Sequence, residues 1–232
     1  MGMFDNIFGS DPYLAAPAKP VSQAPCPPVG MGPAPTVDPT GDFDSTLMLS
    51  TVVSGILDNL IGREGNYVNN PNDSGGETIW GITVKTARAF RYDGNMKDMT
   101  RIQAKQIYFS RYWTQPRISS VYLLDNPIAV RLLDIAVNAG PSKAGTFLQR
   151  ALNVLGSQGK YYEHLTVDGA IGDITLYDLD QFFQARGDEA RVILLKMITA
   201  QQSVFYIECA ENKVQNEDFE WGWQKNRAFG VL

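Results

Sequence analysis

Nine of the thirteen prolines fall between residues 12 and 39, interleaved with Ala, Gly, Ser and Val. Proline has a fixed φ and no amide donor, so a stretch this rich in it cannot run as a helix or sit inside a sheet. Residues 1–45 are therefore expected to form an extended, mostly polyproline II arm with no core of its own. A short apolar plug stands ahead of it, Met3, Phe4, Ile7 and Phe8, which suits either docking on a partner or a frayed end. The folded part must come from the rest of the 232 residues, long enough for a sizeable core in one or two domains.

The 44% hydrophobic and 19% charged residues are ordinary for a globular chain. The most apolar stretch, Leu47 to Ile61, is broken by Ser50, Thr51, Ser54, Asp58 and Asn59, so no membrane span is expected. The first residues show no basic segment followed by an apolar run, so no export signal is expected either. One histidine, His164, and two distant cysteines, Cys26 and Cys209, argue against a zinc site, which needs three or four N or S ligands. A hydrolase built from this chain would rely on carboxylates, with no metal and no cofactor. Net charge is −4 over residues 1–46, +5 over 47–160 and −6 over 161–232. The basic middle would attract an anionic polymer, although no nucleic-acid motif accompanies it.

From Asp44 onward the pattern becomes helical. Leu49, Val52, Val53, Ile56, Leu57, Leu60 and Ile61 predict a helix over about 46–63. The segment from Arg63 to Thr83, dense in Gly, Asn, Pro and Asp before turning β-like, predicts a loop and a small hairpin. Thr100 and Gln103 form a capping box for a helix bearing Ile102, Ile107, Tyr108 and Phe109. Pro127 suits the first turn of another, which Gly140 and Pro141 end. Further helices are expected at about 142–155, 172–185 and 187–210. The predicted fold is mainly α, with one small β element. The chain divides into the arm (1–45), a region carrying the chemistry (46–140) and a helical C-terminal region (141–232).

Glu64 falls at the predicted end of the first helix, where unsatisfied carbonyls disfavour a second negative charge and hold a proton more tightly. Exclusion of water by Tyr67 or Trp80 would act in the same direction, as a general acid requires. Nine residues on, Asp73 lies in a polar Asn- and Gly-rich turn, where a carboxylate stays ionised. Two carboxylates in opposed environments are the glycosidase arrangement. Thr78, just before the β-like residues, could hold a water or a substrate group. Taken alone, each of these residues is ordinary: a surface Glu, a turn Asp. A calcium loop starting at Asn70 fails at its twelfth position, where Gly81 replaces the required Glu.

The run EGNYVNNPNDSGGETIWGIT, from Glu64, resembles the signature of the glycoside hydrolase family 108 N-acetylmuramidases, found in phage endolysins and secretion-associated lysins. IYFSRYW (Ile107–Trp113) and LLDIAVNAGPSKAGTFLQRALN (Leu132–Asn153) resemble the family's next two motifs in collinear order. VDGAIGDITL (Val167–Leu176) resembles its peptidoglycan-binding part, and Gly222, Trp223 and Arg227 its usual end. Asn66 departs from the pattern, where the family has a second Gly.

The resemblance implies a lysozyme-like fold, with the hairpin beside the active site and Glu64 as the catalytic acid. Analogy with phage lysozymes adds Asp73 and Thr78. The implied reaction is hydrolysis of the β-1,4 bond between N-acetylmuramic acid and N-acetylglucosamine in peptidoglycan. Tyr67, Trp80, Tyr112 and Trp113 are candidates for stacking on sugar rings, although aromatic side chains serve equally as core. Asn138 is a candidate for bonding an acetamido group. The Val167–Leu176 segment reads better as a turn and helix start that complete the core. Two rivals stand beside this reading: a lytic transglycosylase on the same bond, and a catalytically idle structural virion protein with a lysin fold. The arm tilts the expectation toward an enzyme carried in a phage particle, tail or internal, docked on other virion proteins and acting in the periplasm. The alternative is one held in the host cytoplasm until holin-mediated release.

Overall fold

The computed structural model describes residues 51–61, 67–68 and 76–230. The 1–45 arm, Glu64 and Asp73 lie outside the described residues. The first helix, α1 (Thr51–Ile61), buries Val53, Leu57 and Ile61, which recur on one helical face. Next come two short antiparallel strands, β1 (Thr78–Ile79) and β2 (Ile82–Thr83), paired Thr78 to Thr83 and Ile79 to Ile82. Thr83 ends the hairpin and caps α2 (Val84–Ala89), its hydroxyl accepting the Thr86 amide at 3.2 Å. A 3₁₀ turn, Met96–Asp98, leads to α3 (Arg101–Phe109).

The predicted capping box is present at the start of α3: the Gln103 amide donates to the Thr100 hydroxyl at 3.2 Å, and the Thr100 amide to Gln103 Oε1 at 2.9 Å. Ile107 and Tyr108 face the core, but Ile102, expected on the same face, is 70% exposed. The helix continues through a π turn at Ser110–Thr114 into α4 (Ile118–Leu124). Then comes α5 (Asn126–Ala139), capped by Asp125, whose carboxylate accepts the Ile128 amide at 2.9 Å, with Pro127 in its first turn. Gly140 alone joins α5 to α6 (Pro141–Leu155). After a loop come α7 (Asp173–Arg186), α8 (Asp188–Asn212) and α9 (Glu217–Trp223), the last running into a π turn at Gln224–Ala228. The described residues are thus mainly helical with one small antiparallel hairpin, a mainly-α, lysozyme-like architecture.

α5 is the axis of the packing. Ile128, Leu132, Leu133 and Ile135 are fully buried among α4, α6 and α8, each such side chain favouring the folded state by roughly 1.5–3 kcal/mol. The helix also carries charge inward. Arg131, 0% exposed, donates to Gln202 Oε1 at 3.1 Å and to the Arg227 carbonyl at 2.5 Å. Asp134 accepts from Gln202 Nε2 at 2.7 Å and pairs with Arg227 at 3.3 Å. Gln202 in turn reaches the Tyr206 hydroxyl at 3.2 Å, and Trp223 lies against the Tyr206 ring. This enclosed network fastens α8 and the C-terminal turn to α5. Burial lowers the affinity of Arg131 for its proton while Asp134 opposes that, and burial pushes the Tyr206 hydroxyl up to about 12.

The Val167–Leu176 segment is packed onto α6. Gln149 donates to Asp168 and the Ala170 carbonyl at 2.8 and 2.9 Å and accepts the Gly169 amide at 2.8 Å. Those bonds, Gln149 first and the Ala170 amide next, hold the Asp168 carboxyl below its ordinary range. Gly145 lets the loop approach, because a Cβ there would stand 2.1 Å from the Gly169 carbonyl oxygen. Ile171 and Thr175 complete the core beneath.

Candidate active site

Described structure flanks the segment carrying the two carboxylates at both ends. On its N-terminal side α1 ends at Ile61, three residues before Glu64. That helix is tied to α3 by Asp58, which pairs with Arg101 and Lys105, each at 2.8 Å. Lys105 also donates to the Ser54 hydroxyl at 2.5 Å. The Lys105 hydrogen bond is the main reason the Asp58 carboxyl sits below its ordinary range. On the C-terminal side, Val68 and Thr78 exchange both backbone hydrogen bonds at 2.8 Å. Asp73 lies in the chain between these two paired residues.

Thr78 is consequently held on both sides, by Val68 and by its β-partner Thr83. Among the described residues its hydroxyl makes one long contact, 3.4 Å to the Gly76 carbonyl. The two residues joining β1 to β2, Trp80 and Gly81, have φ of 54° and 74°, the pairing of a type I′ hairpin turn. Gly81 adopts this freely, but for Trp80 the left-handed region costs about 1–2 kcal/mol. Two hydrogen bonds hold it there. The indole N–H donates to the Met99 carbonyl at 2.8 Å, and the Tyr108 hydroxyl donates to the Trp80 carbonyl at 3.2 Å.

Around the hairpin the structure gathers several of the expected aromatic groups. Tyr67 is half-buried, with Lys97 Nζ 5.0 Å from its ring centre. The rings of Tyr108 and Tyr112 lie 5.5 Å apart, so Tyr112 follows Trp80 through Tyr108. Burial raises both phenols. Arg111 stands 5.2 Å from the Tyr112 ring centre and donates to the Thr86 hydroxyl at 2.8 Å. Trp113 goes elsewhere: only 5% exposed, it packs edge-on against Tyr122 at 5.3 Å. Its ring is part of the core and has no open face for a sugar. Asn138 is held on α5, its amide donating to the Asp134 carbonyl and carboxylate at 2.7 and 3.1 Å. That leaves its own carbonyl oxygen as the group to offer. Lys97 and Arg111 are the neighbours that sequence reasoning missed. Lys97 comes to Tyr67 from the distant 3₁₀ turn, and Arg111 stands over the ring of its chain neighbour Tyr112, with no motif to mark either. Among the described residues, no three His, Cys, Asp or Glu side chains converge as a metal-holding set.

Residues 57–140, running from α1 past the hairpin to Gly140, match the family model described as glycosyl hydrolase 108. This region of the chain belongs to that family. Beyond it, residues 143–228 match a second model, described as a predicted peptidoglycan domain. No curated protein matches. Among solved structures, one from Brucella abortus titled as the structure of SagA is similar, at 22% identity and a TM-score of 0.49, covering 81% of this chain and 95% of that one. By its two regions the chain is a glycoside hydrolase with peptidoglycan as its partner.

Proposed function

We propose that this chain is an N-acetylmuramidase, hydrolysing the β-1,4 bond between N-acetylmuramic acid and N-acetylglucosamine. The observation that carries the reading is the glycosyl hydrolase 108 match, which runs through Glu64, Asp73 and Thr78 together. The double anchoring of Thr78, by Val68 and Thr83, supports it. In this scheme Glu64 protonates the glycosidic oxygen. Asp73 stabilises the oxocarbenium-like transition state or orients the attacking water, and Thr78 offers its hydroxyl to the same group. Tyr67, Trp80 and Tyr112 flank the glycan, and Asn138 accepts the N–H of an acetamido group. Residues 46–140 supply the chemistry and residues 141–232 hold the wall.

The test is digestion of purified peptidoglycan by the full chain and by Glu64→Gln, with mass analysis of the fragments. New reducing muramic ends from the wild type, reduced about a hundred-fold or more by the substitution, are expected of a positioned general acid. Anhydro-muramic ends would make the enzyme a lytic transglycosylase, and no release by either protein would leave the assembly role. The Pro-rich arm, by its composition, favours a virion-borne enzyme docked on other particle proteins. Detection of the chain in purified particles, lost on deleting residues 1–45, is the expected outcome. Its absence from particles would favour holin-mediated release.

A further inference from the structure

Between α6, α8 and the clamped loop before α7 lies an open groove of about 490 Å³, remote in sequence from the hairpin. Its walls include Arg150, Asn153, Val154, Val167, Met197 and Gln201. The groove is rigidly built. Asn153 donates to the Leu165 carbonyl at 2.9 Å and accepts the Leu165 amide at 2.7 Å, and Gln149 holds the next turn. Val167 is thereby held at the groove, yet it remains 43% exposed, and Val154, on α6, 72%. Apolar surface left in water at a concave site favours being covered.

The polar groups at the groove are unbalanced. Arg150 is exposed, and none of the lining residues is acidic. Gln201 donates from Nε2 to the Phe147 and Met197 carbonyls at 2.9 and 3.4 Å, while its enclosed Oε1 has no donor. A buried acceptor without a donor is destabilising, so an incoming N–H would relieve it. The groove thus offers small apolar contacts, one cation and one acceptor. None of its lining residues is aromatic, so it lacks the flat platform a sugar ring favours. The complementary ligand is a short peptide with methyl side chains, a free carboxylate and amide N–H groups. In peptidoglycan that chemistry belongs to the stem peptide rather than to the glycan.

We infer that the α6–α8 groove binds the stem peptide of peptidoglycan, Arg150 pairing with a peptide carboxylate while Val154, Val167 and Met197 cover alanine methyl groups. This rests on peptidoglycan being the partner and is independent of the chemistry assigned to Glu64. The experiment is calorimetric titration of the full chain with the synthetic peptide L-alanyl-γ-D-glutamyl-meso-diaminopimelyl-D-alanine. Saturable binding is expected, weakened about ten-fold or more by Arg150→Glu through loss of a charged hydrogen bond and gain of repulsion. Val154→Glu, one turn along α6 from Arg150, replaces an apolar contact with a carboxylate that competes for the guanidinium and should weaken it similarly. Both positions are exposed, so the melting temperature should hold. Peptide-free glycan should not displace the peptide. Absence of saturable binding, equal affinity in both variants, or displacement by peptide-free glycan would overturn the assignment. Fragment release from whole peptidoglycan, measured on the same preparations, separates the two readings. Release without peptide binding removes the groove and keeps the enzyme, whereas peptide binding without release keeps the groove and removes the muramidase.

Discussion

The hairpin region and the α5–α8 region are held together by different means. The hairpin has two strands of two residues each, a bridge at Val68, and part-buried side-chain bonds that span 19 to 28 positions. The α5–α8 region has a fully buried arginine and an aspartate sharing one network with residues 68 to 96 positions away. A network enclosed in low dielectric is costly to break, whereas short strands with half-exposed bonds open more easily. The difference teaches where this protein places rigidity. The region bearing the candidate chemistry is lightly tied, and it is mounted on a frame that resists distortion.

Four measurements would break or sharpen that contrast. Arg131→Ala removes the centre of the network and leaves Asp134 with fewer partners; it should cost about 3–5 kcal/mol in urea denaturation. A loss below about 1 kcal/mol would mean that apolar packing alone holds the frame. Gly145→Ala drives a methyl into the Gly169 carbonyl and should cost about 1–3 kcal/mol, with the Val167 loop displaced in a crystal structure of the variant. On the hairpin side, Thr83→Ala deletes the α2 cap and should cost about 1 kcal/mol. There the more telling readout is faster hydrogen exchange at the Val68 and Thr78 amides; unchanged exchange would show the hairpin to be as firm as the frame.

The smallest effect concerns Asp178. It is buried on α7 with one oxygen unpartnered, and burial first, then nearby Glu163, raises its pKa. A carboxyl whose folded pKa lies above its unfolded value of 3.8 favours folding only while protonated, so it destabilises the protein as pH rises through that window. Asp178→Asn should therefore melt about 1–2 °C higher than wild type at pH 7, with the advantage vanishing at pH values well below 3.8. An advantage independent of pH would assign the effect to packing.

Local signals in the chain were strong guides to helix starts. The Thr100–Gln103 box and the Asp125 cap ahead of Pro127 appear as the residue types require, and the expected helices at 142–155, 172–185 and 187–210 differ from α6, α7 and α8 by one or two residues. The short helices α2, α4 and α9 were not legible. α4 starts after Arg117 at φ 59° with no side-chain cap, and none of α9's seven residues is buried. Their stability comes from neighbours. The same applies to the rings: Trp80 and Trp113 are the same residue type in motifs of equal promise, yet one sits at the hairpin turn and the other in the core.

By itself the sequence determined what depends on near neighbours along the chain: the caps, the hairpin turn, and the motif string from Glu64 to Thr83 that lies within the family match. Only the tertiary structure decided that Arg131, Asp134, Gln202 and Arg227 share one buried network, that Lys97 stands over Tyr67 and Arg111 reaches Thr86, and that α6 and α8 frame a groove around Arg150. Capping and turn preferences are energies of a few adjacent residues, so they can be read in order. Burial and charge pairing depend on which distant segments meet, and that is set by the packing of the whole core.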